Sequence, residues 1–133
     1  MRKIVHISDV HFGKEDADVV ERLVEKITEL KPHVTVVSGD LTQRARSKQF
    51  AAARAFLHRL PSPQIVVPGN HDVPLYNVVD RFVHPLDKYK EFITEDLEPY
   101  FQDDMLAIAG INTSRSLTIK GGRISAEQVA AIR

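Results

Sequence analysis

Short apolar runs alternate with amphipathic segments over the first half of this 133-residue chain. The runs Lys3–Ile7, Val34–Val37 and Gln64–Val67 have the length and composition of buried strands. The two segments between them place apolar side chains at helical spacing and charged side chains elsewhere. Because short connections join these strands and helices, we predict right-handed crossovers and a parallel sheet covered on both faces. The fold class is therefore α/β, with a βαβαβ unit at its start.

The predicted elements have recognisable ends. The first helix is expected to stop before Pro32, and the second to begin with Ser47 as its N-cap and to stop at Pro61. The second half is less regular, with loop and short helical pieces expected over residues 80–100. Further strands are expected at Met105–Asn112 and Leu117–Lys120, and a capping-box pattern from Ser125 predicts a last helix. His6, inside the first strand, is expected to pack in the core.

Composition narrows the classes of function. Lys and Arg number 18, as do Asp and Glu, so the formal net charge is zero, whereas a general polyanion binder has a basic excess. The absence of Cys excludes disulfides, thiol nucleophiles and thiolate zinc sites. The sequence has neither a signal-peptide core nor the roughly 20 apolar residues of a membrane span. We expect a cytoplasmic protein that contacts no membrane and does not bind nucleic acid in bulk.

Polar side chains with ligand chemistry follow each of the three predicted strands. They form the patterns Asp9-x-His11, Gly39-Asp40 and Gly69-Asn70-His71-Asp72. Any one of these patterns is common in ordinary turns. Because the carboxyl ends of parallel strands meet at one sheet edge, where α/β proteins bind ligands, the three together predict a single site.

The residue types in these loops indicate a metal centre. Carboxylates, imidazoles and an amide oxygen, with no sulfur, suit Mn, Fe, Co, Ni or Zn. In an extended segment, side chains two residues apart point the same way, so Asp9 and His11 can hold one ion together.

These three blocks resemble the first signature blocks of the calcineurin-like metallophosphoesterases. Residues 39–44 and 67–77 are most similar to the bacterial branch that includes the class III cyclic-nucleotide phosphodiesterases. The resemblance implies an α/β/β/α sandwich, of which this chain supplies the N-terminal βαβαβ part. It also implies a binuclear site with two divalent ions.

The resemblance also implies a role for each residue of the loops. Asp9 and His11 would hold one ion, Asp40 would bridge both, and Asn70 would bind the second. His71 would act near the phosphate or the leaving group. Asp72 would orient the imidazole of His71, which is a common role for a carboxylate behind a functional histidine.

The chain departs from the family pattern after the third loop. The later isolated His and the Gly-His-x-His block, which complete both metal sites, are absent from residues 72–133. His84 is the one later histidine, and we interpret it as solvated or locally bonded. We therefore expect residues 1–133 to be a phosphoesterase domain that is incomplete at its C-terminus, with an incomplete second metal site.

The expected function is metal-dependent hydrolysis of phosphate esters, most specifically of phosphodiesters, on a small substrate such as a nucleotide. Two alternatives remain open: a catalytically incompetent fragment with a partial metal site, and a nuclease of the same superfamily acting on DNA. Arg44 either reaches the phosphate of the substrate or is an ordinary surface arginine. An incomplete domain would expose a sheet edge, so self-association is a further expectation.

Overall fold

The computed structural model describes residues 1–75, 78–114 and 122–132, with the side chains of residues 78 and 80 excepted. The strands are β1 (Ile4–Ser8), β2 (Val34–Ser38), β3 (Gln64–Val67), β4 (Tyr100–Gln102) and β5 (Ala107–Ala109). The α-helices are α1 (Ala17–Leu30), α2 (Ser47–Arg59), α3 (Val78–Val83), α4 (Asp87–Phe92) and α5 (Ala126–Ala131), and a 3-10 turn covers Asn70–Asp72. None of the helices in these residues is long and apolar enough to cross a membrane.

The first three strands form a parallel sheet in the order β1-β2-β3. Ser8 is opposite Ser38, and Ser38 is opposite Val67, so the three strands end in one row. The predicted βαβαβ unit is confirmed, and the loops after the three strands start from the same edge.

One face of this sheet packs against the helices. The strand order β1-β2-β3 means that both crossovers run in the same direction, and side chains of α1 and α2 belong to one core. Val37 and Val66 face this side and belong to a core that also contains α4. The helical side chains buried in it are Val24, Ile27, Phe50, Ala53, Phe56, Leu57 and Tyr89.

The opposite face is covered unevenly, which corrects the prediction of a sheet covered throughout. Side chains alternate along a strand, so Val34 and Ile65 lie on this face, and both are buried. On β1 the same face is open, because Ile4 is 49% exposed and His6 is exposed. His6 is therefore not a core residue, and its Nε2 lies 2.6 Å from Ser38 Oγ.

Two further predictions are corrected in detail. The N-cap of α2 is Arg46, and Ser47 is its first helical residue, because the Gln49 side chain accepts the Arg46 backbone N–H at 3.4 Å. The strand expected at Met105–Asn112 is only Ala107–Ala109. It pairs antiparallel with β4, which sequence patterning missed because three residues after a proline show no periodicity. The predicted helix after Ser125 is confirmed, whereas the strand expected at Leu117–Lys120 lies outside the described residues.

The outer edges of the sheet bear on the expected self-association. Within the described residues, β1 and β3 each pair with β2 alone. The outer edge of β3 is partly occupied, because the Tyr89 hydroxyl donates to the Val66 carbonyl at 3.2 Å. Unpaired backbone groups on the outer edge of β1 can pair with another chain, and self-association stays a prediction.

Candidate metal centre

The backbone turns sharply at the residues predicted to bind metal. Asp9, His11 and Asp40 have φ angles of 56°, 52° and 51°, the left-handed region that side chains other than glycine rarely adopt. Gly39, beside Asp40, has a φ of 75°. Such conformations carry strain and cluster at functional sites, where the surrounding structure holds them in place.

Backbone hydrogen bonds hold the first loop against the second. The Asp9 N–H donates to the Gly39 carbonyl at 3.3 Å, and the His11 N–H donates to the Asp40 carbonyl at 3.0 Å. The Phe12 N–H continues the row by donating to the Leu41 carbonyl at 2.8 Å. The strained residues are thus fixed by main-chain contacts.

The third loop approaches Asp40 closely at Gly69. A Cβ atom on Gly69 would overlap the backbone nitrogen and Oδ1 of Asp40, so this position requires glycine. One carboxylate oxygen of Asp40, Oδ1, accepts the His71 backbone N–H at 2.9 Å. The other, Oδ2, remains directed toward the imidazole of His11.

Three predicted site residues come together as a cluster. Ligand atoms of His11, Asp40 and His71 all lie within 4.8 Å of one another. His11 Nε2 lies 3.9 Å from Asp40 Oδ2 and 3.8 Å from Asp9 Oδ1. Asp9 is the most open member, with a side chain that is 63% exposed.

Hydrogen bonding defines the tautomer of the His71 imidazole. His71 Nδ1 lies 2.9 Å from the Gln43 carbonyl, which only accepts, so Nδ1 carries the proton and a neutral ring has its lone pair at Nε2. The two rings meet edge to face, with centroids 4.8 Å apart. His11 Nδ1 is buried and has no hydrogen-bond partner in the described part of the chain.

The predicted role of Asp72 is corrected by these contacts. The His71 ring bonds to Gln43, whereas the Asp72 carboxylate is buried and accepts from Leu41, Thr42 and Gly69. Asp72 therefore joins the second and third loops and does not orient the imidazole. Burial raises the pKa of Asp72 to about 6, and the hydrogen bonds that it accepts oppose this rise.

A cavity of about 290 Å³ lies beside the cluster and contains the fourth predicted ligand, Asn70. Asp9 and Asp40 line the same cavity. Thr113 and Ser114 also line it, although they are far away in sequence and nothing in their local pattern marks them as site residues.

Arg44 and His84 are not members of the cluster. Arg44 is exposed and directly follows Gln43, whose carbonyl bonds to His71. His84 Nδ1 lies 2.7 Å from Asp87 Oδ2, which agrees with our interpretation of a locally bonded histidine.

The donor set fits a divalent metal ion. His11 Nε2 lies 3.8 Å from an Asp9 carboxylate oxygen and 3.9 Å from an Asp40 carboxylate oxygen, and Asn70 lines the same cavity as these two carboxylates. Such mixed nitrogen and oxygen donors suit the transition metals named above. They lie at the carboxyl edge of a parallel sheet, which is where α/β proteins bind ligands.

Comparison with known proteins identifies the family. The sequence profile of the calcineurin-like phosphoesterases matches residues 2–133, and the chain belongs to this family of phosphoester hydrolases. The expected family and fold class are thereby confirmed.

Relatives within the family have different substrates in their names. The chain is 35% identical over 82 residues to the glycerophosphodiester phosphodiesterase GpdQ of Enterobacter lignolyticus, covering 52% of this chain and 29% of the relative. It is 32% identical over 85 residues to the UDP-2,3-diacylglucosamine pyrophosphatase LpxG of Chlamydia muridarum, covering 62% and 25%. It is 29% identical over 124 residues to the DNA double-strand break repair protein Mre11 of Saccharolobus solfataricus, covering 75% and 32%. The alignments therefore span about a third or less of these relatives.

Proposed function

We propose that the chain forms the metal-binding part of a phosphodiesterase that hydrolyses small phosphate esters with two divalent ions. The observation that carries this proposal is the convergence of His11, Asp40 and His71 at the carboxyl edge of the sheet. Membership of a phosphoester hydrolase family supports the same chemistry.

Each loop would supply part of the metal site. Asp9 and His11, with 3.8 Å between Oδ1 and Nε2, would hold the first ion. Asp40 lies between His11 and the third loop and would contact both ions, and Asn70 would provide a neutral oxygen for the second. When bound, two divalent ions neutralise charge on a phosphate and lower the pKa of a water so that it becomes a nucleophile.

His71 is the proposed proton donor to the leaving group. The bond from Nδ1 to the Gln43 carbonyl fixes the ring, so the protonated imidazole can donate from Nε2 to a departing alkoxide oxygen. Arg44, one residue beyond Gln43, is proposed as a phosphate contact on the same side.

The substrate class rests on the relatives. Two relatives are named as a glycerophosphodiester phosphodiesterase and a UDP-2,3-diacylglucosamine pyrophosphatase, and both names give a phosphate-containing small molecule as the substrate. The zero net charge also favours a small substrate over a polynucleotide.

Hydrolysis of bis-p-nitrophenyl phosphate with added Mn²⁺ tests the proposal. We expect turnover by the native chain and its loss in Asp40→Asn, with Asp104→Asn as a control at an exposed carboxylate. No turnover with Mn²⁺, Fe²⁺, Co²⁺, Ni²⁺ or Zn²⁺ would exclude catalysis by this chain alone.

A nuclease is the second candidate, because the similarity to Mre11 covers 75% of the chain. Parallel assays with single-stranded DNA and bis-p-nitrophenyl phosphate separate the two functions. Faster cleavage of DNA would favour the nuclease, and cleavage of the small ester alone would favour the phosphodiesterase.

A further inference from the structure

A second cavity, of about 440 Å³, opens next to the metal-binding loops. Its lining includes the positive side chains Lys14, Arg46 and Lys48, and we call it the cationic groove. The Lys14 N–H donates to the His11 carbonyl at 3.0 Å, so the groove begins one turn beyond a proposed metal ligand. The groove therefore lies beside the first of the loops that carry the candidate metal ligands.

The wall of the groove is well supported. Gln49 lines it, and its Oε1 accepts the backbone N–H groups of Arg44 at 2.9 Å and Arg46 at 3.4 Å. Gly13 lies against the Gln49 side chain with a φ of 107°, so a Cβ there would be strained and would overlap that side chain. The backbone beside Lys14 and Arg46 is therefore held in place before a ligand arrives.

The charges in the groove are unbalanced. Within the described residues, Lys14, Arg46 and Lys48 form no ion pair, and Glu15 is the one carboxylate in the lining. Glu15 already accepts the Gly13 backbone N–H. In a chain with zero net charge, this local surplus of two positive charges is a specific feature that attracts anions.

We propose that the cationic groove binds a second anionic group of the substrate, a phosphate or a carboxylate, while the scissile phosphate lies at the metal centre. This inference rests on the proposed phosphoesterase function and narrows the class of substrate. The preferred esters carry a second negatively charged group in addition to the phosphate that is cleaved. The cavity, of about 440 Å³, has ample room for such a group.

The test measures anion binding by the metal-free chain, without turnover. Pyrophosphate is titrated in the presence of a chelator, and backbone amide shifts are followed by ¹H–¹⁵N NMR. We expect saturable shifts at Gly13, Lys14 and Gln49. Lys14→Ala and Lys48→Ala should each weaken binding about two- to fivefold, which is the size of one exposed charge contact.

Lys26→Ala is the matched control, since it removes the same charge from an exposed position on α1. Equal weakening by all three variants would show general attraction and overturn the proposal. Shifts confined to the metal-binding loops, or no saturable shifts, would also overturn it. Thermal unfolding of each variant identifies any loss of folding.

A second measurement separates this inference from the proposed function. Asp40→Asn removes a proposed metal ligand, and we expect it to bind pyrophosphate in the groove as the native chain does. If the groove binds and no ester is hydrolysed, only the proposed function fails. If esters are hydrolysed and Lys14→Ala and Lys48→Ala leave KM unchanged for a doubly anionic ester, only the groove fails.

Discussion

Asp72 and Thr42 are 30 residues apart in the chain, and two hydrogen bonds join them. Asp72 Oδ1 accepts the Thr42 backbone N–H at 2.8 Å and its hydroxyl at 3.0 Å. These contacts connect the loop after β2 to the loop after β3. The same two loops also meet where Asp40 Oδ1 accepts the His71 backbone N–H. The geometry of the candidate metal centre thus depends on a carboxylate that is not a proposed metal ligand.

The Thr42 hydroxyl should be needed for stability. It also accepts the Ala45 backbone N–H at 3.0 Å, and the residue is fully buried. Thr42→Val keeps the shape but leaves buried polar groups without a partner, so we expect a loss of about 1–3 kcal/mol in the free energy of unfolding. Thr42→Ser, which keeps the hydroxyl, is the control. An equal or larger loss in Thr42→Ser, measured by urea unfolding, would contradict this account.

The buried carboxyl of Asp72 should make stability depend on pH. Burial raises its pKa from 3.8 to about 6 in the folded chain, so the folded state holds the proton more tightly than the unfolded state. The resulting stabilisation is fully present at pH values below the pKa of Asp72 in the unfolded state. It is lost as the pH rises through the pKa of Asp72 in the folded state. The shift of roughly two units corresponds to about 3 kcal/mol.

Asp72→Asn isolates this effect from all other titrating groups. We expect the free energy of unfolding of the metal-free native chain, relative to Asp72→Asn, to fall as the pH rises from 4 to 7. Urea unfolding at several pH values measures both proteins. Parallel curves for the two proteins would contradict the assignment.

Gly69→Ala should disturb Asp40 directly. The added Cβ would overlap the backbone nitrogen and Oδ1 of Asp40, so the loops must move apart at a cost of about 1–3 kcal/mol. The rise in melting temperature that Mn²⁺ produces should also shrink, because this rise reports metal affinity. A variant that Mn²⁺ stabilises as much as the native chain would show that the close approach is unimportant.

The hydroxyl of Tyr89 should stabilise the outer side of β3. Tyr89 is fully buried on α4 and donates to the Val66 carbonyl at 3.2 Å. We expect Tyr89→Phe to lower the free energy of unfolding by about 1 kcal/mol. Tyr100→Phe is the matched control, since Tyr100 is exposed and should change stability by less than about 0.5 kcal/mol. Equal effects in the two variants would refute the role of this hydrogen bond.

The parallel core was predictable because its signals are local and repeated. Val34–Val37 is a continuous β-branched run, and the helices before and after it in the sequence have clear apolar faces. The pattern alone was therefore enough to locate these elements. Strand β4 was not predictable, since its three residues owe their structure to pairing with β5. The exposure of His6 could not be predicted from the sequence either, because it depends on what covers that face of β1.

The candidate site also has residues that the sequence predicts and contacts that it does not predict. Asp9, His11, Asp40 and Asn70 could be selected from sequence because each follows a strand whose end lies at one edge. The partner of the His71 ring could not, since a backbone carbonyl such as that of Gln43 has no signature in the sequence. The place of Thr113 and Ser114 beside the cluster depends on the folding of distant segments.

Calorimetric titration of the native chain with Mn²⁺, beside Asp40→Asn and Asp104→Asn, tests the central claim most directly. We expect saturable binding to the native chain, at least about tenfold weaker binding to Asp40→Asn, and unchanged binding to Asp104→Asn. Equal Mn²⁺ affinity in the native chain and Asp40→Asn would contradict the assignment of the three loops as a metal centre.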